Sequence, residues 1–416
     1  MASSQLTLHT LFFIGAVVLL NAIGAGLIIP VTPELVATLA HSNISDAAAW
    51  GGYIAAIYAV MQFLFGPAMG ALSDRWGRRP ILLISLAILA LDYLVMTFAQ
   101  SLWVLFTGRL LAGIASATYA TAYASISDIS QNGQRATRFG MVGALIGLGF
   151  VIGPAIGGLL ATFGLRVPFY IAAVLLSLTL TYGLFYLPET LAKENRRPIE
   201  WKRANPIGAA AQVLKTPVLH WFFGALILFH FANFVYPAVW PYFTIEALNW
   251  TTTQVGLSLA IVGIGFSGVK GGLIRWAVPR HGEAKTALFG FAFGIVAMIG
   301  FAFASTTLSV VVLLPLSALG ALIPPSITAL MCNLVPDDRQ GELQGALTSV
   351  MGLTLVLSTL MMTQLFTFYT NGATTVYFPG APFLLAAVLM VSALLPFVIG
   401  LKKAKRKAAA LAIANA

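Results

Sequence analysis

Gly70-Ala-Leu-Ser-Asp74-Arg75-Trp76-Gly77-Arg78-Arg79-Pro80 sets one acid and three arginines between two long apolar runs that otherwise carry almost no charge. Gly77 and Pro80 supply turn geometry and a helix start. The charges cannot enter hydrocarbon, so they pin the ends of both flanking helices at a membrane interface. The stretch reads as a short cytoplasmic turn between two membrane helices, and it fixes one end of the topology.

Composition agrees. Across 416 residues the chain is 59% hydrophobic and 9% charged, with mean hydropathy +0.90, whereas a soluble domain is about 25% charged. This is a polytopic membrane protein. The net charge of +10 needs no nucleic-acid partner, because basic residues confined to loops on one side of a bilayer are the ordinary positive-inside signal. The single cysteine, Cys332, excludes an intramolecular disulfide and reads as a small hydrophobe in an apolar run. No redox, metal or cofactor role is expected. Met1 to Thr10 lacks a basic leader segment and a cleavage site, so the first apolar run is expected to be a retained span.

A bilayer core of about 30 Å takes about 20 apolar residues per helix. On that ruler the sequence predicts about twelve spans, near 10–31, 51–72, 80–99, 102–125, 139–162, 167–187, 218–244, 254–276, 285–304, 308–332, 343–367 and 380–401. Of 23 Lys and Arg, Arg109 and Lys270 fall inside spans and Arg166 follows the fifth; the remaining 20 lie in or beside alternate connections and the C-terminal tail. That face is predicted to be cytoplasmic, with both termini on it. The connections Val31–Trp50 and Thr370–Pro379 hold no Lys or Arg and face outward.

The longest polar stretch follows span six, so the sequence predicts residues 1–188 as one six-helix bundle, 189–217 as a cytoplasmic linker and 218–416 as a second bundle with a basic tail. The halves echo each other: Trp76-Gly77 matches His281-Gly282, and Arg135 matches Arg339. Two parallel six-span repeats with a cavity between them near the midplane are one transporter architecture.

Several motifs lie in this frame. Gly70 to Arg79 fits G-x-x-x-D-R-x-G-R-R, Leu105-x-x-x-Arg109-x-x-x-Gly113 opens span four, and Gly140-x8-Gly149-x3-Gly153-Pro154-x2-Gly157-Gly158 runs along span five. With Asn21-Ala-Ile-Gly-Ala-Gly-Leu-Ile-Ile-Pro, Tyr58-Ala-Val-Met-Gln62, Leu91-Asp92-Tyr93-Leu94 and Gln340-Gly-Glu-Leu-Gln344-Gly345, the chain resembles the twelve-span drug:proton antiporters of the major facilitator superfamily. Within them its pattern is most similar to the tetracycline/proton antiporters. The resemblance implies an all-α membrane fold of two pseudo-symmetric six-helix bundles in a bacterial inner membrane, with a small-molecule substrate, protons, surrounding lipid and a monomeric state.

Each motif carries two readings. The glycines of span five remove side chains from one face and admit a neighbouring helix, and Gly153-Pro154 is expected to kink the rod. Alone that is tight packing; the resemblance implies a gate where the two halves meet. Asp74, Arg75, Gly77, Arg78 and Arg79 read alone as a solvated anchor. The resemblance implies a latch, with Asp74 facing the start of span eleven, where helix N–H groups attract an anion, and the arginines pairing with Asp128.

Asp92 and Arg109 stand eight before and nine after Gln100, so in an antiparallel hairpin rising ~1.5 Å per residue they reach nearly the same depth. A permanent ion pair there is structural, whereas an intermittent one lets Asp92 exchange protons. Lys270 is expected to snorkel to the cytoplasmic interface. Span seven carries His230, which can titrate near neutral pH, with Asn233, Tyr236 and Trp240. With Asn21, Tyr58, Gln62, Tyr119 and Tyr123 they are candidates to line an amphipathic pocket, although Trp240 near the outer end equally reads as packing.

The chain departs from the tetracycline pattern at two acids: Asn21 stands at the first-span position, and the ninth-span position falls at or near Gly294. A magnesium-tetracycline substrate is thereby put in doubt, and Asp92 is left as the mid-membrane carboxylate. The reading is proton-coupled export of a small amphipathic or drug-like compound by alternating access. Uptake by a permease and a non-transporting receptor or scaffold are the alternatives. An enzyme is not expected, since the spans hold no convergent nucleophile and base or metal-spaced cluster, and no phosphate-binding G-x-x-x-x-G-K-[ST] loop is present to drive transport with ATP.

Overall fold

A computed structural model describes residues 2–115, 118–130, 134–197, 218–336 and 339–414. The linker predicted at 189–217 therefore lies largely outside the described residues. Among those described there is no strand.

The first helices are α1 (Ala2–Ile28), α2 (Thr32–Ala40), α3 (Ile44–Trp76), α4 (Arg78–Phe98), α5 (Leu102–Ile114), α6 (Thr118–Ile129), α7 (Arg135–Leu160) and α8 (Val167–Tyr186). They are followed by α9 (Leu219–Asn233), α10 (Val235–Leu248), α11 (Thr252–Gly268), a π-helical turn (Val269–Leu273), α12 (Ile274–Ala302), α13 (Thr307–Ala318), α14 (Ile323–Cys332), α15 (Gln340–Thr370) and α16 (Ala381–Ala414).

Eleven stretches of the described residues are long and apolar enough to cross a membrane. One of them, Thr252–Ala302, is 51 residues long, more than twice the length of about 20 that a single crossing takes. It is broken at Gly282, whose backbone (φ 75°, ψ 161°) is not helical, and so supplies the eighth and ninth of the twelve expected spans. Gly77 breaks α3 from α4 with φ 109° and ψ 161°. The sequence echo between the two glycines is thus an echo of backbone, in a region that side chains with a Cβ rarely enter.

Span four is α5 followed by α6, and span seven is α9 followed by α10. In span seven the break falls at Phe234 (φ −70°, ψ −4°). Pro237 lacks an N–H and its ring crowds the carbonyl four residues back, so the helix ends before it and restarts. The connection after span one, expected only as an outward loop, contains the cap helix α2, which starts with Pro33 in its first turn and buries Pro33, Leu35 and Val36.

The fold divides into two compact units. One gathers the described residues of Met1–Asn205 with Trp250–Gly263, and the other those of Pro206–Asn249 with Ile264–Ala416. In the first, α1 lies along α7 and α4 along α8. Arg166, the one basic residue on the predicted outer side, donates to the carbonyls of Thr97 at 2.6 Å and Ala99 at 2.7 Å. It satisfies orphan carbonyls at the C-terminus of α4, where the helix dipole also favours a cation. The second unit is centred on an aromatic core in which Trp240, Phe301 and Phe383 are fully or almost fully buried, with Trp240 and Phe301 ring centroids 5.0 Å apart.

Candidate substrate and proton sites

The α4–α5 hairpin brings Asp92 and Arg109 together as its length requires. They form an ion pair between Arg109 Nη2 and Asp92 Oδ2, and their exposures are 8% and 2%. The same Nη2 lies 2.8 Å from Met96 Sδ, and the guanidinium carbon sits 5.7 Å and 5.5 Å from the ring centres of Tyr58 and Tyr93. Cation–π attraction of this kind strengthens when water is excluded. Among the described residues, Asp92 Oδ1, Arg109 Nε and the Tyr119 hydroxyl have no hydrogen-bond partner. A buried polar group left unpaired costs about 1–3 kcal/mol, so the pair is only half satisfied in this arrangement.

Two glycines make the pair possible. A Cβ at Gly108 would stand 2.9 Å from Asp92 Oδ1, and one at Gly113 would stand 2.6 Å from the Tyr58 carbonyl. The last glycine of the span-four motif thus lets α5 lie on α3. Asn21 is buried on α1, one turn before Gly24, where a Cβ would come within 3.2 Å of Tyr93 Oη. Gln62 is half-buried on α3. Tyr119 and Tyr123 pack against the cluster of Ile14, Val18 and Ile126, and Tyr123 meets Phe139 edge-on at 5.4 Å.

At the opposite, charged end, Arg78 is buried and ties three elements together. Its Nη1 donates to Ser73 Oγ at 2.7 Å and pairs with Asp74, and its Nε reaches Asp128 Oδ2 at 3.0 Å. Asp128 is therefore the acid that the resemblance named. Sequence reasoning missed Glu189, whose carboxylate accepts the backbone N–H of Arg78 at 2.8 Å and of Arg79 at 3.3 Å. Its signal is slight: an acid in Leu187-Pro188-Glu189-Thr190, directly after an apolar run. Arg79 donates to the Leu184 carbonyl at 2.7 Å. Arg75 is exposed and makes no ion pair among the described residues, while the Asp74 side chain is 47% exposed. The matching turn of the second unit uses a different contact, with Arg280 lying 4.5 Å over the Trp276 ring.

The span-five glycines divide into three kinds. A Cβ at Gly149 would lie 2.5 Å from Ala22 Cβ, and one at Gly153 would lie 2.7 Å from the Ile23 carbonyl; at Gly157 it would run into Leu27. These three hold α7 against α1. Gly158 faces the other way, where a Cβ would meet Thr252 at 2.5 Å, and Thr253 donates to its carbonyl at 2.9 Å. Gly70 and Gly140 have no atom within 4 Å of a built Cβ. The helix passes through Pro154 without interruption.

In the second unit His230 is buried in the last turn of α9, with its ring stacked on Phe234 at 6.0 Å. With Asn233, Phe266, Lys270 and Gln344 it lines a cavity of about 290 Å³. Tyr236 and Trp240 are not in its lining: Trp240 is wholly buried in the aromatic core, and Tyr236 packs between Trp240, Phe266 and Phe301. They are core residues here, as the packing reading of Trp240 had it. At the ninth-span position a Cβ on Gly294 would stand 2.5 Å from Met390 Cε, the movable end of a flexible side chain. In the connection between α15 and α16 Tyr377 donates to Glu246 at 3.1 Å. Burial and then the Glu246 charge push its hydroxyl up to about 12, and burial raises the Glu34 carboxyl on α2.

A family model described as the Major Facilitator Superfamily matches residues 14–359. The tetracycline resistance protein of class C from Escherichia coli is 36% identical over 358 residues, which cover 86% of this chain and 90% of that one. The class H protein from Pasteurella multocida is 31% identical over 399 residues, covering 94% and 96%. Among solved structures, nucleoside transporter NupG superposes with a TM-score of 0.72 at 16% identity, over 95% of this chain and 99% of that one.

Proposed function

We propose that this chain, which belongs to the Major Facilitator Superfamily, exports a small amphipathic or drug-like compound in exchange for protons. It is a multi-pass membrane protein. The observation that carries the coupling is the buried Asp92–Arg109 pair with one carboxylate oxygen unpartnered. A fully satisfied pair is a strut, whereas a half-satisfied one in a low-dielectric site is poised to trade its partner for a proton when water or substrate arrives.

In this reading Asp92 takes a proton from the outer side and releases it inside, while Arg109 returns to the carboxylate between turnovers. Arg78, Asp74, Asp128 and Glu189 hold the cytoplasmic ends together and let go as that side opens. The α7 glycine face slides on its neighbours as part of the gate. Both termini are cytoplasmic, which the basic-residue asymmetry supports. The 189–217 stretch links the two six-span halves in sequence, and the protein works as a monomer in lipid without a catalytic step of its own. The tetracycline-resistance relatives support a drug-like substrate. Asn21 and Gly294, which put no carboxylate at the first-span and ninth-span positions, argue that the metal-chelated form of tetracycline is not the cargo.

Proteoliposome transport under an imposed pH gradient tests this. Asp92→Asn is expected to abolish concentrative, proton-driven export while retaining substrate exchange, and Arg109→Ala to lose both. Concentration of substrate against its gradient by Asp92→Asn would place coupling elsewhere.

A further inference from the structure

Lys270 is the one basic residue of the second unit that the sequence sets well inside an apolar run, and it is not spent on a salt bridge. Among the described residues no carboxylate lies within the 4.0 Å of an ion pair to it, and the cavity that it lines contains no Asp or Glu. Lys270 is itself exposed, so its ammonium is free to meet an anion that enters the cavity, and at membrane depth a charge without a counter-ion is costly.

The backbone around it is equally unusual. Lys270 sits in the π-helical turn Val269–Leu273, and such turns are often found at functional sites because they re-aim side chains. A Cβ at Gly268, Gly271 or Gly272 meets nothing within 4 Å, so no packing demands these exposed glycines. The same cavity is lined by His230 and Asn233 at the broken end of α9 and by Gln344 of α15, whose Nε2 lies 3.9 Å from Cys332 Sγ. Lys carries three donors and no acceptor, and the two amides add more donors. Phe229, Phe234 and Phe266 supply the apolar walls. A simple snorkelling lysine needs only a path to the interface, not a share in a cavity lined by amides and rings.

We infer that this cavity, about 290 Å³ in volume and at the small end of ligand pockets, is an anion subsite in which Lys270 receives the carboxylate of a small aromatic acid. The inference rests on the reading that the protein moves an amphipathic solute, and it names the charge of that solute.

The test is thermal unfolding of purified full-length protein in a neutral detergent, with 1-naphthoate, 1-naphthamide and 1-naphthylmethylammonium as matched probes. Naphthoate is expected to stabilise with an affinity about tenfold or more above the amide, and the ammonium not to bind. Lys270→Gln should remove the preference and Lys270→Arg should keep it. Equal shifts from all three probes, no shift from naphthoate, or a preference that survives Lys270→Gln overturns the inference. Added phosphatidylglycerol producing the Lys270-dependent shift in place of naphthoate assigns the lysine to lipid and also overturns it. Failure is separable from failure of proton-driven export. Proton-driven export of ethidium by the wild type together with no naphthoate preference leaves the transporter reading standing and sinks the anion subsite, whereas Lys270-dependent naphthoate binding without proton-driven transport does the reverse.

Discussion

Asp92 on α4 and Arg109 on α5 hold each other through one carboxylate oxygen, Oδ2, while Oδ1 lies against the space that Gly108 leaves open. Removing one member of a buried pair strands the other and costs about 3–5 kcal/mol, whereas replacing both by apolar groups is often neutral. Asp92→Leu and Arg109→Met are each expected to lower the melting temperature of the purified protein substantially, and the double variant to recover most of the loss. Asp92→Asn is milder, because its amide oxygen still accepts from the guanidinium. Losses that simply add in the double variant would show that the two residues do not act as a pair.

The motif glycines of α7 are expected to separate under alanine substitution. At Gly153 and Gly157 the neighbours are the backbones of Ile23, Gly26 and Leu27, which cannot yield cheaply, so overpacking should cost about 1–3 kcal/mol. At Gly140 the space is open, and alanine should gain up to about 1 kcal/mol of helix propensity. Melting temperatures of the three variants check the order. A Gly140→Ala protein that is more stable but transports poorly would mean that this glycine is needed in an arrangement other than the one described.

Glu189 accepts the first backbone N–H groups of α4, at the positive end of the helix dipole. Glu189→Ala should cost about 0.5–2 kcal/mol, the range of a lost N-cap. The loss should be local, with faster amide exchange at Arg78 and Arg79 and little change in the α9–α16 segments. Uniform acceleration along the whole chain would contradict a capping role.

The hairpin pair was legible in the sequence because helical rise converts residue counts into depth, and Asp92 and Arg109 lie at nearly equal counts from Gln100. The turn at Gly77 and its echo at Gly282 were legible for a similar reason, since a glycine between charges marks backbone that other residues avoid. Lys270 and Trp240 were not legible. Whether a side chain on a membrane helix faces lipid, a core or a cavity depends on which helix faces meet, and in uniformly apolar spans hydropathy carries almost no phase. Glu189 was hidden for a different reason: its partners are backbone N–H groups that any sequence possesses. The cap helix α2 escaped because nine residues are too few to register against a ruler made for spans.

Glu34 on that cap helix gives a pH signature. It lies outside the membrane-spanning segments, and burial raises its carboxyl above the ordinary value of about 4.3. Below that value the residue is neutral in both folded and unfolded chains, and the fold bears no penalty for it. As pH rises the unfolded chain ionises first, so Glu34 favours the folded state progressively less until pH passes the raised folded value, where the loss is complete. Glu34→Gln removes the ionisation but keeps the shape. Its melting temperature is therefore expected to match wild type near pH 4 and to exceed it increasingly toward pH 7, with the difference levelling off once Glu34 is ionised in the folded protein. Comparing the two proteins at each pH cancels every other titrating group. A difference that is constant with pH, or largest in acid, would show that burial does not govern this carboxyl.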